Sequence, residues 1–507
     1  METLTAPQKK TSPAKEIQKI QNYVNGKWVT PETTEYLDVT NSATGEIIAH
    51  VPVSTGKDVS SAIEAAQAAF PAWRETPPAE RVKYFFRWKN LLEENFEEIA
   101  RLCTIEHGKT LIESRGDLRR GIDNIDNVIG IPSLIMGESF EDIAKGIDCR
   151  SVRRPLGVFT AIAPFNFPPM VPMWFLPYAV ACGNTFVLKP SEQVPLSQVK
   201  IFELIDKCGF PAGVVNLVNG TKDVVNTFCT HPLVKGVSFV GSSPVAKHVY
   251  ETGCKHGKRV QALGGAKNFL VAMPDANIDV AAKVMCDSGF GCAGERCLAG
   301  SVILAHKDIY PRLRDKVVSI AKTFKVGNGL YPDTGMGPVI SKVHKEKVLR
   351  YIETGIKEGA TLLMDGRNVT VPGHENGFFL GLTIFDNVKP EMTIAKEEIF
   401  GPVVCIIKVE DLDHAISIIN SNPYANTSSI FTDSGSAARE FSYKIDIGMI
   451  GINLGVPAPM AFFSFGGAKE SLFGDLKAHG KHSIYFYTDT KTIVSRWDHT
   501  MPRKSEQ

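Results

Sequence analysis

The chain has 507 residues, more than one ordinary hydrophobic core accommodates, and this length suits two or three packed domains. Apolar residues make up 43% and charged residues 22%, a globular balance that excludes a disordered or fibrous chain. With 56 basic and 55 acidic side chains the net charge is +1, so no overall field draws in nucleic acid or an anionic membrane, and an anionic ligand must be held by a few local cations.

Residues 1–20 read as a mobile tail. They have no apolar centre for a secretory signal, and two Glu without an Arg argue against a transit peptide, so a cytoplasmic protein is expected. Order begins at YVNGKWV (23–29). The Ala-rich amphipathic run Ala62 to Phe70 predicts a helix, and Arg81 to Cys103 predicts another. From Leu156 short β-branched runs alternate with helical stretches. Strands are expected at 157–164, 184–190, 214–220, 234–242 and 259–265, with helices at Val171 to Cys182 and Ser197 to Cys208 among those between them. Repeated strand–helix–strand units imply a parallel sheet covered on both faces, with ligands beyond the carboxyl ends of its strands. The apolar stretch Pro169 to Gly183 is broken by Pro172 and Pro177 and is too short to span a bilayer. Alternating segments over 270–450 predict a second α/β domain. The run Ile484 to Trp497 reads as amphipathic strand that must pair with another sheet, in this or a second subunit.

The ten cysteines include no C-x-x-C pair and no metal-ligand spacing, so free thiols and no metal site are expected. GFGCAG (289–294) matches a dinucleotide fingerprint, but helix precedes it and strand follows it, the reverse of what that motif needs. The same segment is better read through Cys297, a thiol on a glycine-flanked loop. There Arg296 and any nearby helix N-terminus would favour the attacking thiolate. Cys103, Cys182, Cys286 and Cys405 lie in apolar runs and read as inert core thiols, while Cys292 stays ambiguous.

The strings PFNFP (164–168), LKPSE (188–192), FVGS (239–242), LGG (263–265), GERC (294–297), EEIFGPV (397–403) and FSFGGAK (463–469) resemble, in order, the motif series of the aldehyde dehydrogenase superfamily. GERC, HGKTLIESRGDLRRG (107–121), GAKNF (265–269), FGDLKAHG (473–480) and the closing YFYTDTKTIVSRW are most similar to its CoA-acylating methylmalonate-semialdehyde dehydrogenase branch. The resemblance implies an α/β fold of three parts. These are a Rossmann-like NAD-binding domain (21–130 and 153–263), an α/β catalytic domain (264–470) and a small β oligomerisation segment (131–152 and 482–507) that builds a homodimer or homotetramer. Cys297 would be the nucleophile. Asn166 and the Cys297 N–H would form an oxyanion hole, where fixed donors lower the barrier by ~3–4 kcal/mol.

For NAD the resemblance implies Ala163 and Phe165 lining the cofactor, and Lys189 and Glu192 on the adenosine ribose. Ser242 would sit at the pyrophosphate, Gly264 near the nicotinamide and Glu398 on its ribose. Gln193 stands where the acylating branch often has Arg, which removes a charge near the adenosine. A carboxylate at 192 would repel a 2′-phosphate and favour NAD over NADP. Arg120 and Arg296 match a carboxylate clamp, and the guanidinium fork suits that task. Arg119 points about a quarter-turn away on the same helix. Ala262 occupies the place of the Glu that activates water in most relatives. Loss of a general base costs ~10²–10⁴ in rate, which lets coenzyme A displace water as acyl acceptor. The expected reaction is oxidative decarboxylation of methylmalonate or malonate semialdehyde to propionyl-CoA or acetyl-CoA, as in valine, inositol or β-alanine breakdown. A hydrolytic NAD-dependent dehydrogenase, a chemically idle binding protein of the same fold, and a reductase of acyl phosphates remain as alternatives.

Overall fold

The computed structural model describes residues 17–497. Two large sheets dominate it. The first has eight strands in the spatial order Leu472–Phe473, Arg259–Leu263, Val234–Val240, Val158–Ile162, Thr185–Lys189, Val215–Leu217, Asn22–Val24, Lys27–Val29. Its five central strands are parallel and wholly or almost wholly buried, as their β-branched sequences require of a sheet covered on both faces. The order of those strands reverses beside Val158–Ile162. A crevice therefore opens between the carboxyl ends of Val158–Ile162 and Val234–Val240, leading into Ala163 and Ser242.

The second sheet has seven strands, Thr361–Met364, Thr383–Asp386, Val403–Val409, Gly300–His306, Asn268–Ala272, Thr427–Phe431 and Met449–Ile452, all parallel but the first. Each sheet has its own apolar core. Residues 264–267 join the last parallel strand of the first sheet to Asn268–Ala272 of the second. Four residues span at most about 14 Å, so the carboxyl edge of one sheet must face the amino edge of the other.

A third sheet of three antiparallel strands projects as an arm. Thr488–Arg496 pairs along its whole length with Ile147–Pro155, which pairs in turn with Ser139–Ala144. The partner of the closing strand is thus in the same chain. Ile147–Pro155 crosses the expected 152/153 domain boundary.

Several expectations are corrected. Gln18–Lys19 is a strand beside Ile47–Pro52 and Ile20 is buried, so residues 18–20 are not tail; residues 1–16 and 498–507 lie outside the described chain. Residues 81–103 hold two helices, Pro78–Glu94 and Phe96–His107, divided at Asn95. Residues 171–182 form a short 3₁₀ turn, Pro172–Trp174, and a six-residue helix, Leu176–Ala181. Ile484 to Tyr487 is helical rather than strand, because Ile484, Phe486 and Tyr487 turn into the core of the first sheet. Among the described residues no helix is long and apolar enough to cross a membrane.

Candidate active site

The helix Ile278–Phe290 feeds the loop that carries Cys297. Cys292 and Ala293 both take left-handed backbone (φ 49° and 52°), and Gly294 follows at φ 75°. A Cβ on Gly294 would lie 2.1 Å from the Gly401 carbonyl oxygen, so only glycine fits this tight approach. Successive non-glycine residues in this region store strain that the surroundings must hold, a feature concentrated at functional sites. The Cys297 carbonyl accepts from Asn268 Nδ2 (2.9 Å) and Asn426 Nδ2 (2.8 Å), which anchors the loop to the amino edge of the second sheet.

Asn166 approaches from the first sheet, on the loop that follows Val158–Ile162. It is buried, and its Nδ2 lies 3.4 Å from Cys297 Sγ. The Cys297 backbone N–H also faces the sulfur, so both expected oxyanion donors converge there. Behind Asn166 the buried Lys109 donates to its carbonyl and forms an ion pair with Asp117 at 2.9 Å. Asp117 in turn accepts from the Met170 N–H at 2.9 Å, fixing the far side of the same loop.

A cavity of about 370 Å³ opens at Cys297, walled by Phe167, Trp174, Leu298 and Phe465 and reached by Arg120. Glu113, Asp117 and Arg120 share one face of the helix Leu111–Ile129 at near-helical spacing. Arg120 donates to the carbonyls of Ala458 (2.8 Å) and Pro459 (3.3 Å), with the Asp123 carboxylate 3.9 Å away. Arg119, one residue earlier, is tied to Glu93 on the outer surface, so only Arg120 enters the cavity.

Arg296 lines the same cavity but is already engaged. It holds Glu113 at 3.0 Å, and its Nε donates to Cys292 Sγ at 3.2 Å. The expectation that Arg296 favours a Cys297 thiolate is therefore corrected: the cation sits on the neighbouring thiol. Burial pushes Cys297 up to about 11, against the Asn166 amide, so the resting sulfur is a thiol at neutral pH. Burial does the same to Cys182, up to about 12, and to Cys405, up to about 11. Ionisation does not single out Cys297; its place on the cavity beside Asn166 does.

The loop that leaves the carboxyl end of Val158–Ile162 carries Asn166 to the same sulfur, and the other expected cofactor residues stand around the neighbouring strand ends. Ser242 caps the 13-residue helix Ser243–Lys255, with its hydroxyl making no bond to the helix. Lys189 Nζ meets Glu192 at 2.7 Å; burial would raise the Glu192 carboxyl, but the ammonium outweighs it and holds it below the usual value. The Ala163 N–H bonds the Lys189 carbonyl at 3.0 Å, joining the two strand ends. Phe165 packs edge-on to Phe400 (5.8 Å), and the Gln193 N–H is turned onto Ser191 Oγ. Gly264 has no room for a side chain: a Cβ there would sit 2.7 Å from the Glu470 carbonyl oxygen. Glu398 accepts from the Ala266 N–H at 2.8 Å, and burial pushes its carboxyl up to about 7. Ala262 is fully buried within its strand and brings no carboxylate.

A model of the aldehyde dehydrogenase family matches residues 28–493. The chain belongs to the aldehyde dehydrogenase family. This aldehyde dehydrogenase is 48% identical over 481 residues to malonate-semialdehyde dehydrogenase 2 of Geobacillus kaustophilus, covering 95% of this chain and 99% of that one. It is 49% identical to the malonate-semialdehyde dehydrogenase of Halalkalibacterium halodurans, with the same coverage. The crystal structure of methylmalonate-semialdehyde dehydrogenase from Oceanimonas doudoroffii matches it with a TM-score of 0.94 and 46% identity, covering 96% of this chain and 99% of that one. A Sinorhizobium meliloti protein solved with NAD also matches at TM-score 0.94 and 42% identity, with the same coverage.

Sequence reasoning missed Lys109, Asp117, Glu113, Asn268, Asn426 and His479. Lys109, Glu113 and Asp117 lie within 107–121, Asn268 within 265–269 and His479 within 473–480, but only Glu113 carried a mark of its own local bonding: Thr110 and Glu113 form a capping box, with Thr110 N–H bonded to Glu113 Oε2 at 2.9 Å. The other oxygen of that carboxylate accepts from the Cys292 N–H at 2.7 Å, a contact that no pattern along the chain announces.

Proposed function

We propose that this enzyme oxidises and decarboxylates malonate semialdehyde or methylmalonate semialdehyde with NAD, and passes the acyl group to coenzyme A. The close relatives named for these substrates support it, and so does the geometry of the site. The observation that carries most weight is the Asn166 amide poised on the Cys297 sulfur, in a cavity that Arg120 also enters.

The donor set of the crevice fits NAD. Lys189 and Glu192 would hold the adenosine ribose, and the helix N-terminus with its free Ser242 hydroxyl would hold the pyrophosphate. Ala163, Phe165 and Gly264 would line the path, with Gln193 uncharged beside the adenosine. Glu398 would meet the nicotinamide ribose; with its carboxyl near 7 it both accepts from and donates to hydroxyls at neutral pH. When bound, the nicotinamide supplies the two-electron acceptor.

Cys297 loses its proton to solvent in the cavity, and its sulfur adds to the aldehyde carbon. Negative charge then develops on the carbonyl oxygen between Asn166 Nδ2 and the Cys297 N–H, fixed donors that stabilise it without reorganising. Lys109 holds Asn166 in place through its carbonyl. Collapse of the tetrahedral centre expels the aldehydic hydrogen with its electron pair and leaves a thioester on Cys297. The carboxylate, held by Arg120 and the charge of Arg296, sits β to that thioester carbonyl. It leaves as CO₂, its electron pair passing into the thioester as an enolate that then takes a proton. With Ala262 in place of a base, water is a poor acceptor, and the thiolate of coenzyme A displaces Cys297.

The test measures NADH formed from malonate semialdehyde with and without coenzyme A. We expect about one equivalent per active site without it and continuous turnover with it. Full turnover without coenzyme A would establish hydrolysis instead, and Glu398 would be the first base to examine.

A further inference from the structure

His479 reaches the substrate cavity from a part of the chain remote from Cys297 and Arg120, directly before the helix Gly480–Tyr487. Its backbone is at φ 69° and ψ 168°, a region that L residues rarely adopt and that persists only where the surroundings enforce it. The surroundings do so here. Gly480 follows at φ 54°, and a Cβ on it would lie 2.6 Å from the Phe462 carbonyl oxygen. The imidazole meets Trp174 edge-on (4.8 Å, 81°) and lies tilted on Phe465 (5.6 Å, 42°), so the ring is caged.

Within that cage the residue is 4% exposed, and neither ring nitrogen has a hydrogen-bond partner. Burial, aided by the Arg120 guanidinium, pushes the imidazole down to about 3. It is therefore neutral, with one N–H to donate and one nitrogen to accept. Phe in the same cage would pack as well without leaving polar atoms unpaired, and buried unpaired polar groups are rare in folded chains. The other charged groups on the cavity wall are paired: Arg296 with Glu113, Asp117 with Lys109, and Asp123 more loosely with Arg120 at 3.9 Å.

We propose that His479 binds the carboxylate of the substrate together with Arg120, donating a ring N–H to it, and so selects carboxylated aldehydes over uncharged ones. This rests on the reading of the substrate given above. A neutral donor adds direction to the clamp without a further buried cation, and a substrate lacking the carboxylate leaves the imidazole unpaired, which is the strongest form of discrimination a polar pocket offers.

The experiment compares kcat/KM for malonate semialdehyde and for propanal, with NAD and coenzyme A, in the parent, His479→Phe and His479→Gln. The ratio of the two should fall about tenfold or more in His479→Phe and recover in His479→Gln, whose amide again donates. A purely structural role would lower both substrates together and leave the ratio where it was. An unchanged ratio in His479→Phe, or an equal fall in both variants, overturns the assignment. His479→Gly, which relieves the backbone, replaces the Phe variant in the same comparison should the latter not fold. A parent enzyme without preference for malonate semialdehyde removes the proposed function and this inference with it. A parent that prefers it and needs coenzyme A, with a ratio His479 does not move, removes the inference alone.

Discussion

Burial pushes the Cys297 thiol up to about 11, so in the free enzyme at pH 7 the sulfur is held as the thiol. Thiolate is the reactive form, and its fraction grows as pH rises toward that value. Alkylation of the free enzyme by iodoacetamide should therefore accelerate about tenfold per pH unit between pH 7 and 9. A rate already level at pH 8 would mean that a base takes the proton earlier. Lys109 and Asp117 make a second prediction at this scale. Both are fully buried, and removing one partner of such a pair leaves an uncompensated charge at about 3–5 kcal/mol. Lys109→Met alone should lower the melting temperature and kcat together, because Asn166 loses the donor on its carbonyl. Lys109→Met combined with Asp117→Asn should recover much of the stability but not the kcat, as thermal unfolding and steady-state rates would show. Cys297, Asn166 and Arg120 were legible as residues because each stands in a short recognisable string. Asn268, although it stands in GAKNF, and Asn426 gave no sign that they hold the nucleophile's carbonyl, since an Asn carries no local mark of its partner.

The parallel strands of the first sheet were visible as β-branched runs, since a strand buried on both faces has no polar alternation to obscure it. The break at Asn95 was invisible because both helices bury apolar residues at helical spacing, Phe85, Trp88 and Leu92 before it and Ile99 and Cys103 after it. Short apolar runs such as Ile484 to Tyr487 do not distinguish strand from buried helix. The closing strand itself was legible, and its pairing with Ile147–Pro155 follows from the need to satisfy its backbone. The resulting arm still presents two open edges and exposes Phe140 (66%), Val494 (63%) and Trp497 (59%). Edges and apolar groups of this kind are covered in stable proteins, which favours assembly of copies through the arm. Sedimentation should show the parent as a dimer or tetramer. Phe140→Asp with Val494→Asp should shift it toward monomer while its circular dichroism is kept; an unaltered sedimentation profile would place the subunit contact elsewhere.

The two sheets share one cleft, and ligands that bridge it stabilise the whole molecule. Binding NAD at about a hundred times its dissociation constant adds about 2.7 kcal/mol to the folded state. Thermal unfolding should therefore move upward with NAD and much less with NADP at the same concentration, because the Glu192 carboxylate, kept ionised by Lys189, repels a 2′-phosphate. Equal shifts would show that Glu192 does not face the adenosine ribose. The sequence by itself determined the alternating α/β class, the family-like motif series, the thiol on a glycine loop and the absence of a carboxylate at position 262. Those features reside in side-chain periodicity or in residues a few positions apart. Only the tertiary structure decided that Arg296 answers to Glu113 and Cys292 rather than to Cys297, and that His479 stands in the cavity unpartnered. These pairings join segments up to hundreds of residues apart, and their energies depend on burial and distance, which a linear chain does not carry.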